Sequence, residues 1–450
     1  MGILSATKTT INWIIKLVVI LVLYSLVRKV VPLFADPISI AIIDPPNTGA
    51  IVLNELTAEA FGLALASDEP RTTLEWLRKQ LRLDVVRPVY VYEDLSDPAT
   101  RKQVSELLEE EAVEAAFGCV SSACVRSTLP IMEDLGIPLF YPRQHEGGIS
   151  DQNVIHIGPL PSQQILPAVH WALENLGNRV YILGTNNVYS RLIGQMITEE
   201  VLAAGGEITH SIYYGHDQTE VREIPKNLRR DKTDVVLNIV EGSMNVALVK
   251  QAYSAEDPGS LPSMLFLTED LAQINRLSLF EWDGYYVATV YNENNKSEAN
   301  QRFKNIWEQH TAGMRFAGAS EAAAFAAIAL WREARRKVFS GTSTSLMDAI
   351  PGTSAETPFG NVTLNWGGTQ IDHRARIIRI DARVGIKPVW QSDKTFEGTQ
   401  YGAMDSEEVR AFLGEYEAET SGTWRSSQRI DLGADHDRTE PAGSSEATNE

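Results

Sequence analysis

Residues 117–147 hold polar groups of a kind that could grip a small solute. An apolar run ends at Gly118, and Ser121 and Ser122 stand where the next helix begins. Helix starts leave backbone N–H groups unpaired and carry positive dipole character, so hydroxyls there can hold a carbonyl or carboxylate oxygen. The same two serines could instead cap the helix. Tyr141 ends a second short run, Ile137 to Tyr141, and either packs on a cleft wall or bonds a ligand. Arg143 pairs with a ligand carboxylate or stands solvated. His145 reads as a loop histidine, a ligand contact or, last, a base. Asn187 and Tyr189 follow the run Val180 to Gly184 in the same relation, and Glu241 follows Asp234 to Val240. Asparagine also suits tight turns, and Glu241 is either an acceptor for an amide or ammonium or a solvated charge. In open parallel α/β sheets, ligands sit beyond the carboxyl ends of strands. These groups therefore read as the two halves of one binding site.

Nothing catalytic accompanies them. The chain has no GxGxxG, Walker, HExxH or GxSxG pattern, and its eight histidines are scattered. No enzymatic step, no cofactor and no metal is expected. Cys119 and Cys124 are the two cysteines, and their spacing matches no redox or zinc pattern. They read as half-buried thiols in apolar surroundings, ahead of a disulfide. The formal net charge of -19 over 450 residues argues against a nucleic-acid partner, short of a local basic patch.

The elements that position these groups alternate. Ile38 to Ile43, Val86 to Tyr92, Ala115 to Cys119 and Pro138 to Tyr141 read as strands, with helices over Leu53 to Leu65, Pro98 to Glu111 and Ser127 to Leu135. The series restarts beyond Gly158-Pro159-Leu160-Pro161. Strands Arg179 to Gly184, Ile208 to Tyr214, Asp234 to Val240 and Met264 to Thr268 then alternate with helices Gln163 to Leu176, Tyr189 to Gly205, Glu220 to Arg230 and Asn245 to Ala255. Such alternation predicts parallel sheets wrapped by helices.

The fold class is thus α/β, with two Rossmann-like lobes joined by a three-strand hinge. Residues 37–160 and 290–345 make lobe I, and residues 161–289 and 346–395 make lobe II. The crossings are expected at 158–161, 289–292 and 345–354. The helix Ser320 to Phe339 returns to lobe I. Residues 396–450 read as an acidic tail, with a short helix at Ser406 to Glu415 and disorder from Glu419 onward. Residues 1–36 hold the apolar run Ile11 to Val31, which reads as an uncleaved transmembrane anchor, with a cleaved signal or a buried helix as alternatives. The flanking charges barely decide its orientation.

The motifs resemble the type I periplasmic binding proteins, in particular the urea and short-chain-amide receptor branch and the amide-binding regulators. The resemblance rests on Tyr92-Glu93-Asp94, Phe117-Gly118-Cys119 with Ser121-Ser122-Ala123, Ile137 to Pro142 with Glu146-Gly147, and Gly158 with Pro161, Gln163 and Gln164. It continues through Tyr189, Arg191, Asn238, Gly242 and Asn245 to Pro358, Gly360, Val362 and His373. It implies two hinged lobes that capture a small polar solute reversibly, outside the cytoplasm. Ser122 and Tyr141 would hold the solute's polar end, and Tyr189 would line the opposite wall. An ABC permease is the implied partner, with a signalling partner as the alternative. The chain departs from the pattern at Val120, Arg143, His145 and Asn186-Asn187. These changes make a more polar pocket and point to a larger or zwitterionic solute.

Overall fold

The computed structural model describes residues 37–44, 51–67, 85–149, 151–218, 228, 232–254, 261–268, 277–313, 316–365, 367, 369–399, 404 and 406–434. The apolar run β1 (Ile38–Ile43) is buried along nearly its whole length, as a strand covered on both faces must be. It pairs in parallel with β2 (Val86–Val91) and β3 (Val113–Gly118). Adding β4 (Leu139–Tyr141) and β5 (Val154–His156) gives an all-parallel sheet in the order β2-β1-β3-β4-β5. Helices α1 (Ile51–Ala66), α2 (Pro98–Glu110) and α3 (Ser122–Leu135) make its crossovers.

After α4 (Ile165–Asn175) a second sheet begins. Its parallel centre is β6 (Arg179–Thr185), β7 (Glu207–Tyr214), β8 (Val235–Ile239), β9 (Ser263–Phe266) and β10 (Tyr286–Thr289), with α5 (Val188–Ala203) and α6 (Met244–Tyr253) between strands. The chain then returns to the first lobe. Helices α7 (Glu298–Thr311), α8 (Ala319–Phe339) and α9 (Leu346–Ala349), with the hairpin β11 (Ser354–Thr357) and β12 (Gly360–Thr363), complete that lobe. The alanines of α8 at 322, 323, 324, 326 and 327 are fully buried in the core that includes Phe61, Phe117 and Trp331. The strands β13 (Arg376–Asp381) and β14 (Gly385–Gln391) then add antiparallel on the β10 side, and β15 (Ile430–Gly433) adds beside β7, so the second sheet runs β14-β13-β10-β9-β8-β6-β7-β15.

The three crossings are laced together by two adjacent glutamines. Gln163 Nε2 donates to the Ile371 carbonyl at 2.8 Å, and Gln164 Nε2 donates to the Ala288 carbonyl at 2.8 Å. His373 bonds the Ile157 carbonyl through Nε2 at 2.9 Å.

Three expectations are corrected. The third crossing lies after Ile371, not at 345–354. Ala355, Val362, Leu364 and Ile371 all pack in the first lobe's core, so 346–371 belongs to lobe I rather than lobe II. The tail beyond Glu419 is ordered as far as the described residues run. The helix α10 (Ser406–Glu419) and the strand β15 (Ile430–Gly433) are both formed, and β15 pairs antiparallel with β7. Apolar Val409, Leu413, Tyr416 and Trp424 bury this segment on the second lobe, which its polar average conceals. Finally, Cys119 and Cys124 form a disulfide rather than two thiols, because the turn into α3 brings their Cα atoms within 5.5 Å.

The anchor expected in residues 1–36 lies outside the described residues, as do the helix expected at Glu220 to Arg230, apart from Leu228, and the chain beyond residue 434. Among the described residues no helix is long and apolar enough to cross a membrane.

Candidate functional site

Two helix starts meet across the space between the lobes. On the first lobe, Ser121 is the N-cap of α3, and its Oγ accepts from the Cys124 N–H at 3.3 Å. On the second, Asn187 is the N-cap of α5, and its Oδ1 accepts from the Ser190 N–H at 2.9 Å. The cap role read for Ser121 is therefore real, and Ser122 is left as the first residue of the helix with its hydroxyl uncommitted. The cavity between the helix starts is lined by Ser121, Ser122, Thr185, Asn187, Tyr189, His216, Glu241 and Arg425, along with Ala123 and Val188. Its volume is about 30 Å³, room for roughly two waters. The two helix starts thus stand close together, and a larger guest needs the lobes to part.

Within that cavity two hydroxyls from opposite lobes lack a well-formed hydrogen bond. Ser122 is 2% exposed and Tyr189 is 3% exposed; Tyr189 Oη has no partner, and Ser122 Oγ has only the Tyr141 hydroxyl beside it. A buried polar group left unpaired costs on the order of 1–3 kcal/mol, so this pair is poised for a partner that enters. Glu241 approaches from the second lobe. Its carboxylate accepts from Asn187 Nδ2, and its backbone N–H donates to Thr185 Oγ1 at 3.0 Å. Burial raises the Glu241 carboxyl, and Glu146 adds to the rise, against the pull of Arg143 and Asn187. Burial also pushes the Tyr189 hydroxyl well up, and the charge on Glu241 reinforces it. The Tyr189 hydroxyl is thus kept protonated and neutral, while a cation or an amide N–H that enters would offset the cost of burying the Glu241 charge.

The sequence-expected residues separate into two layers. Ser121, Ser122, Asn187, Tyr189 and Glu241 line the cavity. Tyr141, Arg143 and His145 are buried and do not appear in its lining. The Tyr141 hydroxyl donates to the Gln144 carbonyl at 3.0 Å, so the loop that follows β4 folds back on its own strand end. His145 Nδ1 accepts from the Gly147 N–H at 2.8 Å. Burial and then the Arg126 charge hold this histidine well below its usual range, which keeps it neutral. Arg143 acts from the second layer, where its charge lowers Tyr141, Tyr189 and Glu241 alike. Beside it, Arg126 Nη2 donates to Glu146 Oε1 at 2.6 Å in a nearly buried pair.

Three polar lining residues were not anticipated. Thr185 is the last residue of β6 and His216 follows β7, at the strand ends where the topology rule points. Arg425 arrives from the C-terminal segment. The signal available for it was the apolar alternation around it, Trp424 and then Ile430 and Leu432, which reads as packed chain rather than tail. Among the described residues no group of three or more histidine, cysteine or acidic side chains could hold a metal ion.

Two parallel-centred lobes, three laced crossings and a narrow cavity between helix starts describe a hinged binding module. Residues 86–407 match the model of the periplasmic binding protein domain family, and the chain belongs to that family. Solved structures share the architecture at low identity. A solute binding protein of an ABC transporter from Rhodopseudomonas palustris BisB5, in complex with 3,4-dihydroxy benzoic acid, is 16% identical with a TM-score of 0.68, covering 82% of this chain and 100% of that one. An amino acid ABC transporter substrate-binding protein from Pseudomonas fluorescens Pf-5 is 13% identical with a TM-score of 0.66, covering 82% and 100%. A leucine binding protein from Thermotoga maritima MSB8 is 14% identical with a TM-score of 0.63, covering 79% and 98%.

Proposed function

We propose that the chain captures a small polar solute between its lobes, without chemistry, as the substrate-binding component of an ABC-type uptake system. The observation that carries this reading is the pair of hydroxyls without a well-formed hydrogen bond, Ser122 and Tyr189, buried in one cavity from opposite lobes. Two helix starts favour an anionic or carbonyl oxygen there, while Glu241 favours an ammonium or amide N–H. The solute is therefore an amino acid or a short amide or urea. The zwitterion fits the charge pattern better, because it satisfies both ends. The module would work outside the cytoplasm, held by the apolar residues 11–31. A sensor that uses the same cleft is the second reading. The short span from Val30 to Pro37 favours it, since it leaves little reach for shuttling to a permease.

Isothermal titration of the full chain with glycine, L-alanine, L-leucine, acetamide, urea and benzoate tests the solute class. Binding of an α-amino acid, weakened by about tenfold in Ser122→Ala as expected for one lost hydrogen bond, supports the reading. Binding of benzoate alone, or equal affinity in Ser122→Ala, overturns it.

A further inference from the structure

The C-terminal segment touches both lobes. It is rooted in the second: β15 extends that sheet, and Tyr416 Oη donates to Asn186 Oδ1 at 3.2 Å. Between α10 and β15 the chain runs beside the loop that starts α5. The Val188 N–H donates to the Trp424 carbonyl, the Ser426 N–H to the Asn186 carbonyl and the His216 N–H to the Ser426 carbonyl. Gly215 makes room for it, since a Cβ there would stand 2.1 Å from the Ser427 oxygen.

The same segment grips the first lobe at three points. Arg425 Nη2 pairs with Asp94 Oδ2 at 2.9 Å. The Arg126 guanidinium lies over the Trp424 ring, 4.8 Å from its centroid. Leu413 and Val409 pack so closely on Gly148 that a Cβ there would lie 2.6 Å from Leu413 Cδ1. Trp424 reaches this position with a backbone φ of 59°, a conformation that a bulky residue adopts only when its surroundings impose it.

We infer that residues 406–433 are a clasp: rooted on the second lobe, they hold the first lobe shut through the Arg425–Asp94 pair and the contacts beside it. Arg425 also lines the solute cavity, so the clasp is a third wall of the site. That second role rests on the solute-binding reading above, whereas the holding role does not.

One exposed ion pair contributes little by itself, so the test places like charges at the contact, which costs more. Spin labels at Glu109→Cys on α2 and Leu202→Cys on α5, both exposed positions on opposite lobes, report the interlobe distance in the full chain without solute. Asp94→Arg and Arg425→Asp each set like charges face to face. The double variant reverses the pair. Each single variant should move the mean distance outward by more than about 2 Å, beyond the shifts of a rigid interface, and the double variant should bring it back. Distances unchanged in both singles, or a double variant as open as either single, overturn the clasp. The readout needs no solute, so a failed titration and a failed clasp are separate results.

Discussion

Asn187 serves two elements at once: its Oδ1 caps α5 through the Ser190 N–H, and its Nδ2 holds the Glu241 carboxylate. One short side chain thereby fixes both a helix start and the acidic wall of the cleft. Asn187→Ala loses the cap and should cost about 1 kcal/mol. Asn187→Asp keeps a capping oxygen but sets two carboxylates together. It should be destabilised at pH 7 and recover toward wild type near pH 5, which Asn187→Ala should not do. Thermal unfolding at the two pH values checks both.

Glu241 itself should weaken the fold at neutral pH. Its folded carboxyl is raised above the ordinary 4.5, chiefly by burial. In that window the native state binds more protons than the unfolded chain, so this group's contribution falls as pH rises. Glu241→Gln should therefore melt higher than wild type at pH 7 and match it near pH 4. Equal melting temperatures at pH 7 would contradict this.

Buried histidines act in the opposite direction. Burial lowers His373 to about 4 and His156 to about 3, from 6.5 in each case. Their stabilisation is present above pH 6.5 and drains away as pH falls toward those values, because the unfolded chain takes up protons first. Unfolding free energy should drop between pH 6.5 and pH 4, with a shallower slope in His373→Gln. Denaturant titrations across that range measure the slope.

Gly158 lets the first crossing touch the loop that carries Arg143. A Cβ at Gly158 would lie 2.0 Å from the Arg143 carbonyl oxygen. Gly158→Ala should destabilise by about 1–3 kcal/mol, the usual cost of overpacking, and should weaken solute binding, because the displaced loop backs the cleft. Normal affinity with normal stability would show that the backbone accommodates the methyl freely.

The Cys119–Cys124 bridge closes a short loop that contains Ser121 and Ser122. The chain-entropy model gives such a loop about 2 kcal/mol. Cys124→Ser should lose roughly that amount by denaturant titration. Mass spectrometry of the unreduced chain should find neither thiol open to alkylation.

The alternating elements were legible because each strand is a short apolar run bounded by turn residues. That pattern placed the strand ends, and with them Ser122, Asn187, Tyr189 and Glu241 on the cavity. It could not say which polar groups stay behind the wall. Tyr141, Arg143 and His145 sit one loop deeper because the chain folds back through the Tyr141 bond to Gln144, a contact that no spacing reveals. Arg425 was missed for another reason. It reaches the site from far along the chain through the pairing of β15 with β7, and its polar neighbours mask the few apolar residues that seat it. The third crossing was placed too early because β11 and β12 look like any β-rich stretch. Only their packing on α8 assigns them to the first lobe.

The strand β15 covers what would otherwise be the open border of the eight-stranded sheet. Without it, β7 would present a bare row of amide and carbonyl groups, which is a template for another chain to join. A molecule clipped ahead of Ile430 would therefore be prone to stick edge to edge with its fellows, and its first symptom in a storage tube would be turbidity.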